Sequence, residues 1–515
     1  MGKLFRKTNS QSSIVGGMAG AMLFIIMALG VNPFSWATTY YVASNGDDNN
    51  NGTSPQSPWA SYSKAHSEFS NFNAGDSLLF RRGDTFNINS GYTWNNTNST
   101  SQNPIVIADY GNSQLEKPII NLTSTGFSHA GFYFHNQSSS YESGFIIKNI
   151  IVTGPGKASA ENGPRGIRFR GKYEDVLVEN VKVDGLRYGV QFQYIDDTKK
   201  PRRMTLTKSE ILNIRDYGFS GGGDSITLEY SYWENKGQIG TADHHIYVTS
   251  TSAKSYGLVI RKNEMTDAVA EGRLDSQPIK VAGLIKKCTI EDNLIWEDPT
   301  QTFDDGGHIV PAIIVGRNNY GGAEYYEDII IRNNKIFNVP GLMWSFACGQ
   351  NYLVEGNIQI SELNSGKMIG IGYAPRGNDD QPLDNVTIKD NKFLFRQTGS
   401  VSEAYGIKIP DEGDNHVIMN NEIKFVPSYN GWYGLDLHDT NNYSAYDTVD
   451  YNQFYYPNSN GDWEVDEGSL SQWQNATPFG DNSSNSDPNF SFESNSAPLY
   501  GFTSPLDEID NPPAK

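Results

Sequence analysis

The chain has 515 residues and a formal charge of −19. It shows no basic tail or stripe, and this excludes nucleic acid as the natural partner. Only 37% of residues are hydrophobic, while Gly (51), Tyr (29) and Phe (25) are abundant; that profile suits many short strands joined by polar turns and excludes a helical bundle.

The first residues read as a targeting segment. Lys3, Arg6 and Lys7 form a positive n-region, and Ile14 to Val31 is an uncharged, mostly apolar run. Pro33 and then Ser35-Trp36-Ala37 follow, the latter a small-x-small cleavage pattern. The run is close to the minimum for a membrane span, so an uncleaved anchor is the alternative. A cleaved signal over residues 1–37 is preferred, because strand patterning starts at once with Thr39-Tyr40-Tyr41-Val42. The body is therefore expected to be secreted or periplasmic, with no membrane contact after cleavage.

Residues 38–143 are expected to form an N-terminal cap and the first turns of a repetitive fold. A helical pattern lies near Ser63–Phe69. The acidic turn Asn45–Gly52 makes calcium the one cofactor to consider, but it lacks the closing Glu of an EF-hand loop and reads as a solvated turn. No metal-binding residues are assigned. Cys288 and Cys348 do not have metal-ligand spacing. Cys288 alternates with apolar residues as a buried thiol would, and a bridge between the two is the alternative.

From about residue 144 to 455 the chain repeats, at intervals of about 30 residues. Each copy has a short apolar strand ending in Asn, as in Ile146-Ile147-Lys148-Asn149, Leu177-Val178-Glu179-Asn180, Ile260-Arg261-Lys262-Asn263 and Ile331-Arg332-Asn333-Asn334. Ser209 and Ser231 take the Asn place in two copies. A second strand follows the pattern Gly-apolar-x-apolar, as in Gly166-Ile167-Arg168-Phe169, Gly189-Val190-Gln191-Phe192 and Gly406-Ile407-Lys408-Ile409. His245-Ile246-Tyr247-Val248 and Pro278-Ile279-Lys280-Val281 occupy the same place. Such a period predicts an all-β, parallel β-helix with an Asn ladder along one turn, followed by a C-terminal cap or tail over 456–515.

These features resemble the right-handed parallel β-helix proteins of the pectate-lyase-like superfamily. The opening (Tyr40-Tyr41-Val42, Gly52-Thr53-Ser54, Pro58-Trp59, Phe80-Arg81-Arg82-Gly83) and the ending (Gln472-Trp473, Asp487-Pro488-Asn489-Phe490) are similar to exported bacterial members. The resemblance spans 38–510 and implies the fold and a polysaccharide partner. It leaves the reaction open, because the superfamily includes lyases, hydrolases, epimerases and non-catalytic binders. The Asp-Pro-His-Glu motif of mannuronan epimerases and the paired-Asp signatures of polygalacturonases are absent.

One stretch concentrates chemistry. Asp243, His244, His245, Tyr247, Glu271, Arg273, Asp275 and Lys280 fall within 38 residues. Strand alternation places His245, Tyr247 and Thr249 on one outer face, with His244 opposite. Registering the repeats adds Arg168, Arg170, Gln191 and Gln193 to that face. A uronate lyase needs a cation for the carboxylate, a base for the C5 proton and an acid for the leaving oxygen. His245, Tyr247, Lys280, Arg273 and Asp243 are the catalytic candidates; Arg168, Arg170, Gln191, Gln193, His244, Glu271 and Asp275 are the substrate-binding ones. A hydrolase would instead use two carboxylates among Asp243, Glu271 and Asp275, or Asp304 and Asp305 beside His308. Trp432, Tyr433 and His438 extend or close the groove. The expectation is a secreted, monomeric lyase acting on an extracellular acidic polysaccharide. The alternatives are a glycoside hydrolase or C5-epimerase, and then a binding solenoid.

Overall fold

The structure is a computed structural model. It describes residues 37–507 apart from 125–129, 161–162, 236–243, 268–276, 299–310, 317–323, 340, 347, 363–366, 374–382, 397–402, 410–412, 427–431, 438–442, 458–461, 465–467 and 495–497. The expected signal segment lies outside the described residues. Among those described, no helix is long and apolar enough to cross a membrane.

Each turn of the coil supplies three strands, one to each of three faces. In one turn these are Arg165–Gly171, Tyr173–Glu179 and Lys182–Asp184; in the next they are Tyr188–Gln193, Arg202–Thr207 and Glu210–Leu212. Equivalent strands of successive turns pair in parallel. The result is a right-handed parallel β-helix of about ten turns.

The Asn period has its physical basis in the turn between the second and third faces. Asn263, Asn293, Asn334, Asn357, Asn391, Asn421 and Asn452 are all at most 1% exposed. Each amide but the last, that of Asn452, donates to the next Asn Oδ1, for example Asn293 to Asn334 at 2.9 Å and Asn334 to Asn357 at 3.0 Å. The same oxygen accepts the preceding Asn backbone N–H. A buried carboxamide thus satisfies itself and the turn around it. Ser209 and Ser231 continue the ladder with their hydroxyls. Asn149 and Asn180 do not belong to it. They sit one residue earlier, at the left-handed place (φ 57° and 53°) that Lys208, Tyr230 and Lys262 fill in later turns, and Ile150 and Val181 hold the ladder place. Asn recurs there because its short polar side chain tolerates that conformation.

The core runs the length of the coil. It is aromatic in the early turns, where Phe134 stacks on Phe169 at 4.3 Å. The helix Tyr62–Phe69, capped by Ser61, packs Tyr62, Ala65 and Phe69 onto this end. After the last turns the chain runs back along the third face. Phe490, Phe492, Leu499, Tyr500 and Phe502 cover the outward-facing Leu294, Phe337, Ile360 and Leu394. Cys288 and Cys348 are buried free thiols, so the alternative of a bridge does not hold.

Candidate functional site

The site grows from the first face of four consecutive turns and the turn after them. Its strands are β1 (Arg165–Gly171), β2 (Tyr188–Gln193), β3 (Tyr217–Gly221), β4 (His244–Arg261) and β5 (Gln277–Glu291). In each, one apolar place is fully buried: Ile167, Val190, Phe219, Ile246 and Ile279. The residue after it points out. Register aligns Arg168, Gln191, Ser220, Tyr247 and Lys280 into one outward column. A second column precedes it and contains Arg165, Tyr188, Tyr217, His244 and Gln277.

Between the columns lies the glycine place, where strict alternation fails. A Cβ on Gly166, Gly189 or Gly218 would strike Val183, Ile211 or Trp233 of the third face. These positions therefore turn toward the interior, and the paired register skips them. His245 occupies this place in β4. It is 4% exposed, and its Nε2 donates to the Thr266 carbonyl at 2.8 Å. The expected outward trio of His245, Tyr247 and Thr249 is thus corrected: Tyr247 and Thr249 face the cleft, and His245 faces inward. His244 takes the side expected of its neighbour. It stacks on Tyr217 at 5.7 Å and lies 5.3 Å from the Tyr247 ring, centroid to centroid.

The cleft has a volume of ≈ 390 Å³ and is lined by Arg165, Arg168, Arg170, Tyr188, Gln191, Gln193, Tyr194, Tyr217, Ser220, Gly221, Tyr247 and Thr249. Arg168, Arg170, Gln191, Gln193 and Tyr247 therefore come together as expected. Lys280 stands on the next turn, its Nζ 5.7 Å from the Tyr247 ring centroid. Arg165, Tyr188, Tyr194, Tyr217 and Ser220 were missed. The signal for Arg165, Tyr188 and Tyr217 was their shared position immediately before each glycine. Asp243, Glu271, Arg273, Asp275, Asp304, Asp305, His308 and His438 lie outside the described residues. Trp432 is core, packed on Phe425 at 4.5 Å, and not part of a groove. Tyr433 stacks on Tyr405 at 5.2 Å on the same face, several turns away.

Electrostatics divide the cleft. Burial pushes the His244 imidazole down to about 3, helped by the Lys280 charge, and pushes His245 down to about 4. Both rings are neutral at physiological pH. His244 Nδ1 lies 3.2 Å from both the backbone N–H and the carbonyl of Gln277, and it accepts from the one or donates to the other according to the ring tautomer. At the other end, burial and the neighbouring guanidiniums push Arg168 down to about 10, and burial lowers Arg165 as well. No carboxylate is among the described lining residues.

Among the described residues, no group of three or more His, Cys, Asp or Glu is placed to hold a metal. In the acidic N-terminal turn, Asp47 accepts from Asn49, and Asp48 from Ala60 and Ser61. A larger cleft, ≈ 550 Å³, opens at the turns near Leu506. It is lined by Lys148, Glu179, Lys208, Glu210, Tyr230 and Tyr232, with Lys208 held by Glu179 at 3.0 Å.

No protein-family model matches the chain. An 87-residue stretch, 17% of the chain, is 40% identical to a lacto-N-biosidase of Bifidobacterium longum and spans 5% of that protein. Among solved structures, the chain is similar to a mutant tailspike protein of E. coli bacteriophage HK620 in complex with a pentasaccharide, with a TM-score of 0.52, 11% identity, and coverage of 81% of this chain and 71% of that one. It also resembles an alginate lyase from Paenibacillus sp. FPU-7 (TM-score 0.44, 14% identity, 65% and 98% coverage). A GH136 lacto-N-biosidase from Eubacterium ramulus gives a TM-score of 0.42 at 14% identity, with 74% and 70% coverage. At these identities the likeness is one of fold.

Proposed function

We propose that this parallel β-helix is an exported, monomeric enzyme that cleaves a uronate-containing polysaccharide by β-elimination. The observation that carries the reading is the composition of the cleft. Tyr247 stands between a guanidinium-rich end and the Lys280 ammonium, and no described lining residue is a carboxylate. Cations beside a carboxyl group make the neighbouring C5 proton acidic. In the proposed reaction Lys280 neutralises the carboxylate, with Arg273 as its candidate partner. The Tyr247 phenolate takes the C5 proton. The C4–O bond breaks as the C4=C5 double bond forms, and the departing oxygen takes the proton that Tyr247 has gained, which restores the phenolate. Neutral His244, packed against Tyr217 and Tyr247, holds the two rings in place rather than acting as a cation.

A second reading, glycoside hydrolysis, is favoured by the 40% identity of one stretch to a lacto-N-biosidase. It would need two carboxylates across the scissile bond, drawn from Asp243, Glu271 and Asp275.

The test is a panel of alginate, pectate, glycosaminoglycans and sulfated algal glycans, read by unsaturated-uronate absorbance and by reducing ends. Both signals rising together are expected. Reducing ends without absorbance would replace the lyase with the hydrolase.

A further inference from the structure

The guanidinium end of the cleft is too far from Tyr247 to act on the same sugar. Arg168 and Tyr247 share one outward column, but two turns, those of Gln191 and Ser220, stand between them. Three strand spacings of ~4.8 Å separate the two residues by about 14 Å. An extended glycan lying along the coil would place them against different units.

That end is built to receive something. Arg168 lies over the Tyr133 ring at 4.8 Å, and its Nε donates to Gln193 Oε1 at 2.8 Å. Arg165 lies over Tyr188 at 5.1 Å and is 5% exposed. Stacking and burial fix these planar groups in position before any ligand arrives. Among the described residues no carboxylate pairs with Arg168. The nearby Asp216 is held by Arg187 at 2.7 Å. Gln191 is 2% exposed; its Nε2 donates to Ser220 at 2.9 Å, while its Oε1 has no partner among the described residues. Exchanging the two amide atoms only changes which one is left over. A buried amide atom without a partner calls for a polar group from outside, and a sugar hydroxyl satisfies either atom.

We propose that Arg168 and Arg170, with Gln191, form a subsite for an anionic sugar about three units from the one at Tyr247. The protein then reads the charge of a sugar that the reaction leaves unchanged. The shared chemistry is an oxyanion, carboxylate or sulfate ester, beside a hydroxyl. The proposal rests on the polysaccharide reading but not on the elimination step.

The test measures binding rather than turnover. The full chain is titrated with alginate and pectate hexamers, their carboxyl-reduced counterparts, and a sulfated carrageenan hexamer, at low and high salt. At least one charged hexamer is expected to bind about tenfold or more tightly than a neutral one, with the advantage falling at high salt. Arg168→Gln and Arg170→Gln should each remove most of that advantage and leave neutral binding unchanged. Using both variants guards against misfolding from loss of the Arg168–Tyr133 stack. Preference for the alginate or pectate hexamers identifies a carboxylate, and preference for carrageenan a sulfate ester. Equal binding of charged and neutral hexamers, equal loss for both in the variants, or no binding at all would overturn the subsite. Arg168-dependent binding without unsaturated product would keep the subsite and sink the lyase. Elimination with charged binding that Arg168→Gln does not alter would do the reverse.

Discussion

His244 and His245 are neighbours in the chain but lie on opposite sides of the coil wall. His244 stacks on Tyr217 of the previous turn, and His245 reaches inward to the Thr266 carbonyl on the third face. This relationship separates what each residue near the site is expected to do.

Tyr247→Phe keeps the ring packing and removes the phenol. Turnover should fall by about 10² or more, with far-UV circular dichroism and melting temperature unchanged. His245→Ala should instead lower stability by about 1–3 kcal/mol, because it leaves the buried Thr266 carbonyl short of its donor. Steady-state kinetics beside a thermal melt distinguishes the two; full activity in Tyr247→Phe removes it from the chemistry.

Acid stability follows from the histidines. Their folded pKa values, about 3 and about 4, lie below the ordinary 6.5. The unfolded chain therefore binds more protons between these limits. The stability they contribute is fully present above about 6.5 and is lost as pH falls toward the folded values. His244→Gln and His245→Gln should each flatten the acid limb of a plot of melting temperature against pH. Unchanged slopes would contradict the buried, neutral assignment.

Glu142 has the opposite sign. Burial raises its carboxyl to about 7 from 4.5, so the folded state binds the extra proton. Its contribution is present below about 4.5 and is lost as pH rises through about 7. Glu142→Gln should gain stability relative to the parent chain at alkaline pH and little at acid pH, as read by denaturant midpoints at each pH.

The Asn ladder makes a single amide expensive to remove. Asn357→Ala deletes the acceptor for both Asn334 N–H groups and the donor to the Ile331 carbonyl. With several buried groups left unpaired, a loss of about 2–4 kcal/mol is expected, measured by urea unfolding. A loss within experimental error would mean that water replaces the ladder.

The thiols give a simple check on burial. Cys288 is fully buried, and desolvation pushes its thiol up to about 12. A thiol reagent should label Cys288 and Cys348 only under denaturing conditions. Rapid labelling of the native protein would contradict the packing of the second face.

The sequence by itself determined the coil. A repeat that must stack on itself needs one buried apolar strand and one self-satisfying polar turn in every copy, so Ile260-Arg261-Lys262-Asn263 and its relatives are visible without a structure. It also determined that Arg168, Gln191 and Tyr247 share a column, because all follow a Gly-apolar or equivalent pair. Only the tertiary structure decided which way the residue at the glycine place points. Period-two alternation assigned His245 to the side of Tyr247, but the third face closes in at that position, as the contacts at Gly189 and Gly218 show. His245 goes inward, and His244 joins Tyr188 and Tyr217 on the cleft side. The direction of a side chain at a corner is set by what packs behind it, which strand periodicity does not contain.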